Sequence, residues 1–157
     1  MYFRSLKLIK IAEKMLIKIA DEAIVARPKL HSNHVISPFK MISYMIDGHG
    51  FLIVNRQIVA AEIDNFEYTP RPEFQGEFHV FNELDERATL FRFFDHLLRV
   101  KPAIMVTYNG DFFDWPFVDA RAQFHGISLA NYLGFYKDAQ SEYKHNNCIH
   151  MDAFKFV

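Results

Sequence analysis

The spacing of apolar and polar residues changes character near residue 40. Before it, Lys7, Lys10, Lys14 and Lys18 recur at three- and four-residue steps, with the isoleucines and Met15 falling on the other side. That spacing predicts an N-terminal amphipathic helix over Leu6 to Ala20 with a solvated basic face. A mitochondrial presequence fits less well, because serine and arginine are sparse and Glu13 interrupts it. Arg27-Pro28 and Ser37-Pro38 mark a turn-rich linker. After it, Met41 to Asp47 and Phe51 to Asn55 are short β-prone runs around Gly48-His49-Gly50, which predicts a hairpin. A long acidic surface loop is expected from about Ala60 to Glu77. Asn82 or Asp85 can cap a helix reaching Val100, with Leu90, Phe91, Phe94, Leu97 and Leu98 as its core-facing stripe. Lys101-Pro102 ends it. Ala103-Ile104-Met105-Val106 then predicts a strand, Phe117 to His125 a helix closed by Gly126, and Cys148 to Met151 a final strand after an irregular stretch. Two regions result, 1–40 and 41–157, the second of α/β class.

Composition narrows the field. The 157 residues have room for one domain of ordinary size, and seventeen phenylalanines promise an aromatic core. A mean hydropathy of −0.07, with no apolar run near the length of a spanning helix, points to a soluble protein with no membrane partner. The single Cys148 rules out an internal disulfide and suits a reducing compartment. Net charge is −1, so no overall basic field advertises nucleic acid. A nuclease pocket is itself acidic, however, and positive charge can be local.

The richest stretch is Tyr108-Asn109-Gly110-Asp111-Phe112-Phe113-Asp114-Trp115-Pro116-Phe117. It lies between a predicted strand and a predicted helix, with an acid at the junction. An aspartate there can cap the first helical N–H groups and still present an oxygen to a cation. Asp114 thus reads either as an N-cap or as a metal ligand. His145, Cys148 and His150 fit no standard zinc spacing, and no fourth ligand is evident. His31 and His34 read as exposed linker residues, and Asp152 as a capping or surface residue.

The decapeptide resembles the second exonuclease motif of family B DNA polymerases, in the form carried by the epsilon class. Met41-Ile42-Ser43-Tyr44-Met45-Ile46-Asp47-Gly48 and Cys148-Ile149-His150-Met151-Asp152 resemble neighbouring stretches of the same proteins. The similarity runs from about Met41 to Val157, three quarters of the chain. It implies an incomplete ribonuclease-H-like exonuclease domain, a mixed sheet with flanking helices. It also implies 3′-to-5′ proofreading beside DNA-directed DNA synthesis in the nucleus, with the single-stranded 3′ end of DNA and the accessory subunits of the polymerase complex as partners. By the same resemblance Asp114 is catalytic and ligates Mg2+, Asn109 hydrogen-bonds near the terminal nucleotide, and Phe113 packs beneath the site or against substrate. Asp111 is not a ligand in that motif. The family's cysteine-bound zinc and iron–sulfur sites belong to regions outside this sequence.

Departures from the motif set matter as much. The family's first motif supplies Asp-x-Glu on the first strand, but no such pair precedes Met41, and residues 23–40 hold no acid. Asp21 and Glu22 are adjacent, so on a strand they face opposite sides. The family's third motif, a late Tyr-x-x-x-Asp, is also missing. One of four metal carboxylates is present, and residues 1–40 are not expected to replace the first strand. An isolated chain lacking that strand is expected to be marginally stable. Three readings remain open: a piece of a proofreading domain, inactive alone; a stand-alone nuclease in which Asp47 or Asp152 converges on Asp114; and a non-catalytic binding or scaffold protein.

Overall fold

A computed structural model describes residues 14–20, 37–60, 62 and 78–156, the first stretch as backbone only. Residues 1–13, the proline turn at Arg27-Pro28, His31, His34, Asp21, Glu22 and most of the acidic loop lie outside the described residues.

Among the described residues, eight strands and three helices follow in the order β1 (Lys14–Ala20), β2 (Met41–Ile46), β3 (His49–Asn55), β4 (Phe78–Glu83), α1 (Glu86–Val100), β5 (Ile104–Thr107), α2 (Asp114–Phe124), α3 (Leu129–Leu133), β6 (Phe135–Lys137), β7 (Tyr143–His145) and β8 (Ile149–Asp152). A short 3-10 turn, Ala153–Phe156, comes last. The main sheet has the order β4-β3-β2-β1-β5-β8, while β6 and β7 form a separate antiparallel pair. β1 is antiparallel to β2 and parallel to β5, and β8 is parallel to β5. This is the mixed sheet expected of a ribonuclease-H-like domain.

The N-terminal expectation needs correction. Residues 14–20 form a strand, not the second half of a helix, and that strand fills the centre of the sheet between β2 and β5. The sequence Lys-Met-Leu-Ile-Lys-Ile-Ala satisfies a two-residue period as well as a helical one, and the unpaired edges of β2 and β5 decide between them. Residues from the first forty therefore do supply the central strand, although without an acid.

Ile42, Tyr44 and Ile46 alternate inward along β2, as a half-buried strand requires. The hairpin turns on Asp47 and Gly48, both at positive φ (49° and 85°), so the glycine-rich turn sits one residue earlier than Gly48-His49-Gly50 implies. Asp85 caps α1, its Oδ1 accepting the Ala88 N–H at 2.8 Å. At the other end Lys101 is left-handed, donating its N–H to the Leu97 carbonyl ahead of Pro102. The buried face of α1 is Leu90, Phe93, Phe94 and Leu97, whereas Leu98 is 39% exposed. Phe93 takes the place in the core stripe that the helical spacing assigns to Leu98. Among the described residues no helix is long and apolar enough to cross a membrane.

A buried ion pair joins α1 to α2. Arg121 Nε donates to Glu86 Oε1 at 2.8 Å, and its Nη2 lies 2.5 Å from Oε2. The same carboxylate accepts the Phe39 N–H at 3.0 Å and has His125 Nε2 at 2.7 Å. Burial alone would raise the Glu86 carboxyl, but these hydrogen bonds outweigh it and hold the group below the ordinary carboxylate value. Three segments far apart in sequence thus meet on one charge.

Candidate active site

β5 ends at Thr107, and the chain then turns sharply to start α2. Asn109 carries the turn at φ 63°, a left-handed conformation that asparagine tolerates better than most residues. Gly110 follows because a Cβ there would collide with the Thr107 side chain. The Asn109 carbonyl accepts the N–H groups of Phe112 and Phe113, and the Gly110 carbonyl accepts that of Trp115 at 2.9 Å. The N-cap of α2 is Phe113, which makes no side-chain cap bond, and Asp114 is the first helical residue. Asp114 is therefore not an N-cap aspartate. Its carboxylate sits at the positive end of the helix dipole, where negative charge is favoured. It is half-buried, whereas Phe112 and Phe113 beside it are 63% and 53% exposed and Tyr108 is 49% exposed.

The last strand holds this turn. The register pairs Asp152 with Thr107, at the end of β5. Asp152 is buried, with Oδ1 accepting the N–H groups of Asn109 at 2.6 Å and Phe154 at 3.1 Å, and Oδ2 that of Asp111 at 3.1 Å. Two residues earlier, on the same side of β8, the His150 side chain is 1% exposed. The Trp115 indole N–H lies 3.1 Å from its Nε2, Thr107 Oγ1 is 2.9 Å from the same nitrogen, and Nδ1 is 2.8 Å from the Tyr143 carbonyl. An indole only donates and a carbonyl only accepts, so His150 is neutral with its proton on Nδ1. Burial pushes its pKa down, in the same direction. Ile149 and Met151, the alternate residues, are exposed.

Asp111 ties the turn to two further segments. Its Oδ1 accepts the Tyr143 N–H at 2.8 Å, and its Oδ2 lies 2.6 Å from Lys155 Nζ. The same ammonium is 2.6 Å from Glu142. Asp111 is thus committed to structure.

Of the residues singled out in the sequence, Asn109, Phe113 and Asp114 fall in this one turn. Asp47 does not join them: Ile46 pairs with Met15, and Met15 with Met105, so the hairpin turn lies beyond the start of β5, at the opposite end of the sheet. Asp152 is near, but its oxygens are occupied by backbone N–H groups. Among the described residues no group of three or more His, Cys, Asp or Glu side chains can hold a metal ion. His145 Nδ1 accepts the Asn147 N–H, and the Cys148 thiol, its pKa raised by burial, points to the Ile149 carbonyl at 3.5 Å. Sequence reading missed the roles of Asp152 and His150. Their two-residue spacing was visible, but the pairing of β8 with β5 was needed to bring them under the turn.

A family model described as DNA polymerase family B, exonuclease domain, matches residues 25–157. The chain belongs to this family. Among curated relatives, the DNA polymerase epsilon catalytic polypeptide of Schizosaccharomyces pombe is 62% identical over 117 residues, 74% of this chain and 5% of that protein. The polypeptide of the same name from Kluyveromyces lactis is 46% identical over 157 residues, covering 96% of this chain and 7% of its own length. Its Saccharomyces cerevisiae counterpart is 47% identical over 148 residues, again 7% of its length. The chain thus spans a small part of these relatives. The solved family B DNA polymerase of the archaeon Pyrobaculum calidifontis shares the fold at a TM-score of 0.60 and 16% identity, over 92% of this chain and 16% of that one.

Proposed function

We propose that residues 41–157 are the Asp114-bearing part of a 3′-to-5′ proofreading exonuclease, working within the catalytic polypeptide of DNA polymerase epsilon in nuclear replication. The observation that carries this reading is Asp114 at the start of α2, after the turn that follows the parallel strand β5, with exposed Phe113 beside it. In this reading the substrate is a mispaired 3′ end of DNA, frayed as a single strand. Phe113, with Phe112 and Tyr108, offers ring faces on which bases stack irrespective of sequence. Asn109 stands near the terminal nucleotide, and accessory subunits of the polymerase complex are the protein partners.

Asp114 is the residue here that would ligate Mg2+. Excision by a pair of cations needs several carboxylates converging on one spot. The described residues do not fit such a centre, and β1, which holds the central place in the sheet, contains no acid. The isolated chain is accordingly proposed to be inactive. Its own residues orient Asp114 and present aromatic faces, while the remaining ligands come from outside the described residues. A self-sufficient nuclease built on Asp47 or Asp152 draws no support from where those residues lie.

The test is release of nucleotides from a 3′-end-labelled single strand in the presence of Mg2+. The 157-residue chain should release none. A full-length epsilon catalytic polypeptide carrying residues 41–157 should excise, and Asp114→Ala in it should abolish excision and leave polymerisation intact. Equal loss of both activities would make Asp114 structural. Excision by the isolated chain that vanishes with Asp114→Ala would restore the stand-alone nuclease.

A further inference from the structure

We propose that Asp152 and His150 of β8 are positioning residues for Asp114, a role that rests on the reading of Asp114 given above. The N-cap of α2, Phe113, makes no side-chain cap bond, and β8 supplies bonds to the residues on either side of Asp114. Asp152 takes the N–H groups of Asn109 and Asp111, which bracket the sharp bend at Gly110. His150 takes the indole N–H of Trp115, the residue after Asp114, which is 1% exposed and packs with its ring centroid 4.0 Å from that of Phe135. Asp114 is thereby held from both sides: the turn before it by one carboxylate, the ring after it by one imidazole.

The chemistry of these contacts is selective. Asp152 faces only donors, and three N–H groups share its two oxygens. Asparagine has the same shape but would turn an NH2 group toward one of those donors, so a carboxylate is required where either amide oxygen or size alone would not suffice. His150 must accept at Nε2 and donate at Nδ1 together, which only the neutral Nδ1–H tautomer does. Groups that lock a catalytic side chain in this way change turnover more than substrate binding, since a misplacement of about 1 Å costs roughly 100-fold in rate.

Two measurements on Asp152→Asn test the proposal. In the 157-residue chain, hydrogen exchange at the Asn109 and Asp111 amides should accelerate roughly tenfold or more while the β2–β3 ladder keeps its protection. In the full-length polypeptide carrying residues 41–157, kcat for excision should fall roughly 10- to 100-fold, with KM for single-stranded DNA and the rate of polymerisation unchanged. His150→Phe, which keeps a ring but removes the acceptor, should produce the same split. Unchanged exchange and unchanged kcat would overturn the proposal. So would uniformly faster exchange with joint loss of polymerisation, which identifies a role in fold stability, or a raised KM at constant kcat, which identifies a DNA contact. Asp114→Ala, run alongside, separates the two claims: excision that survives it removes the underlying reading, whereas excision lost with Asp114→Ala but kept in both β8 variants removes only the positioning role.

Discussion

Glu86 and Asp152 are both buried carboxylates, yet they are satisfied in opposite ways. Glu86 meets a guanidinium, an imidazole and one backbone N–H, and its partners come from α2, the residue just after it, and the segment before β2. Asp152 meets backbone N–H groups on a turn and on a residue just after it. A cation-paired carboxylate leaves a buried charge behind when it is removed, whereas an amide-held one leaves N–H groups that a relaxing turn can expose to water. The first kind of contact therefore governs whether the helices stay on the sheet, and the second governs the shape of a few residues. The candidate site lies where the contacts are of the second kind.

The comparison can be broken most decisively at Glu86. Glu86→Ala should strand Arg121 and lower the free energy of unfolding by about 3–5 kcal/mol in a urea titration. Replacing Glu86 and Arg121 together by Leu and Met should recover most of that loss, because both buried charges then disappear. A double variant as unstable as the single one would mean that the pair's shape, not its charge, holds α2.

A smaller effect is expected on the other side of the comparison. Gly110→Ala forces a methyl against Thr107 and should cost about 1–3 kcal/mol, the range for overpacking. Its signature should be local, with faster amide exchange confined to residues 107–115. Loss of protection throughout the sheet would contradict the separation between a fold-holding and a turn-shaping carboxylate.

The smallest effect is read at acid pH. Because the folded-state pKa of Glu86 lies below the ordinary 4.5, its contribution to stability is complete above that value and is lost as pH falls through the lower folded one. The gap in unfolding midpoint between the native chain and Glu86→Gln should therefore narrow as the solution is acidified below 4.5. A gap that stays constant would mean that the carboxylate's charge is not what stabilises it.

Much of this architecture could be read without coordinates wherever a local rule decides. Asp85 before a helix, Lys101-Pro102 after it, and the strand–turn–helix around Gly110 each follow from the chemistry of a few neighbouring residues. Reading failed where two periods fit the same residues: Lys14 to Ala20 satisfies both helix and strand, and only the slot between β2 and β5 chooses. It failed again at β4, α3 and the β6–β7 pair, short elements whose residues gain structure from what they pack on. At the site, Asn109, Phe113 and Asp114 lie within the one short motif that carries the family resemblance. Asp152 and His150 act across a parallel strand pair, and no spacing within the chain reports that register.

Trp115 gives the domain an unplanned optical gauge. It is the chain's single tryptophan. Its ring is sealed against Phe135, bonded to an imidazole, and one residue from Asp114. An indole sealed from water emits to the blue of a hydrated one, so the tryptophan fluorescence of this chain arises wholly beside its candidate catalytic acid. Colour and intensity report on that one turn without any label.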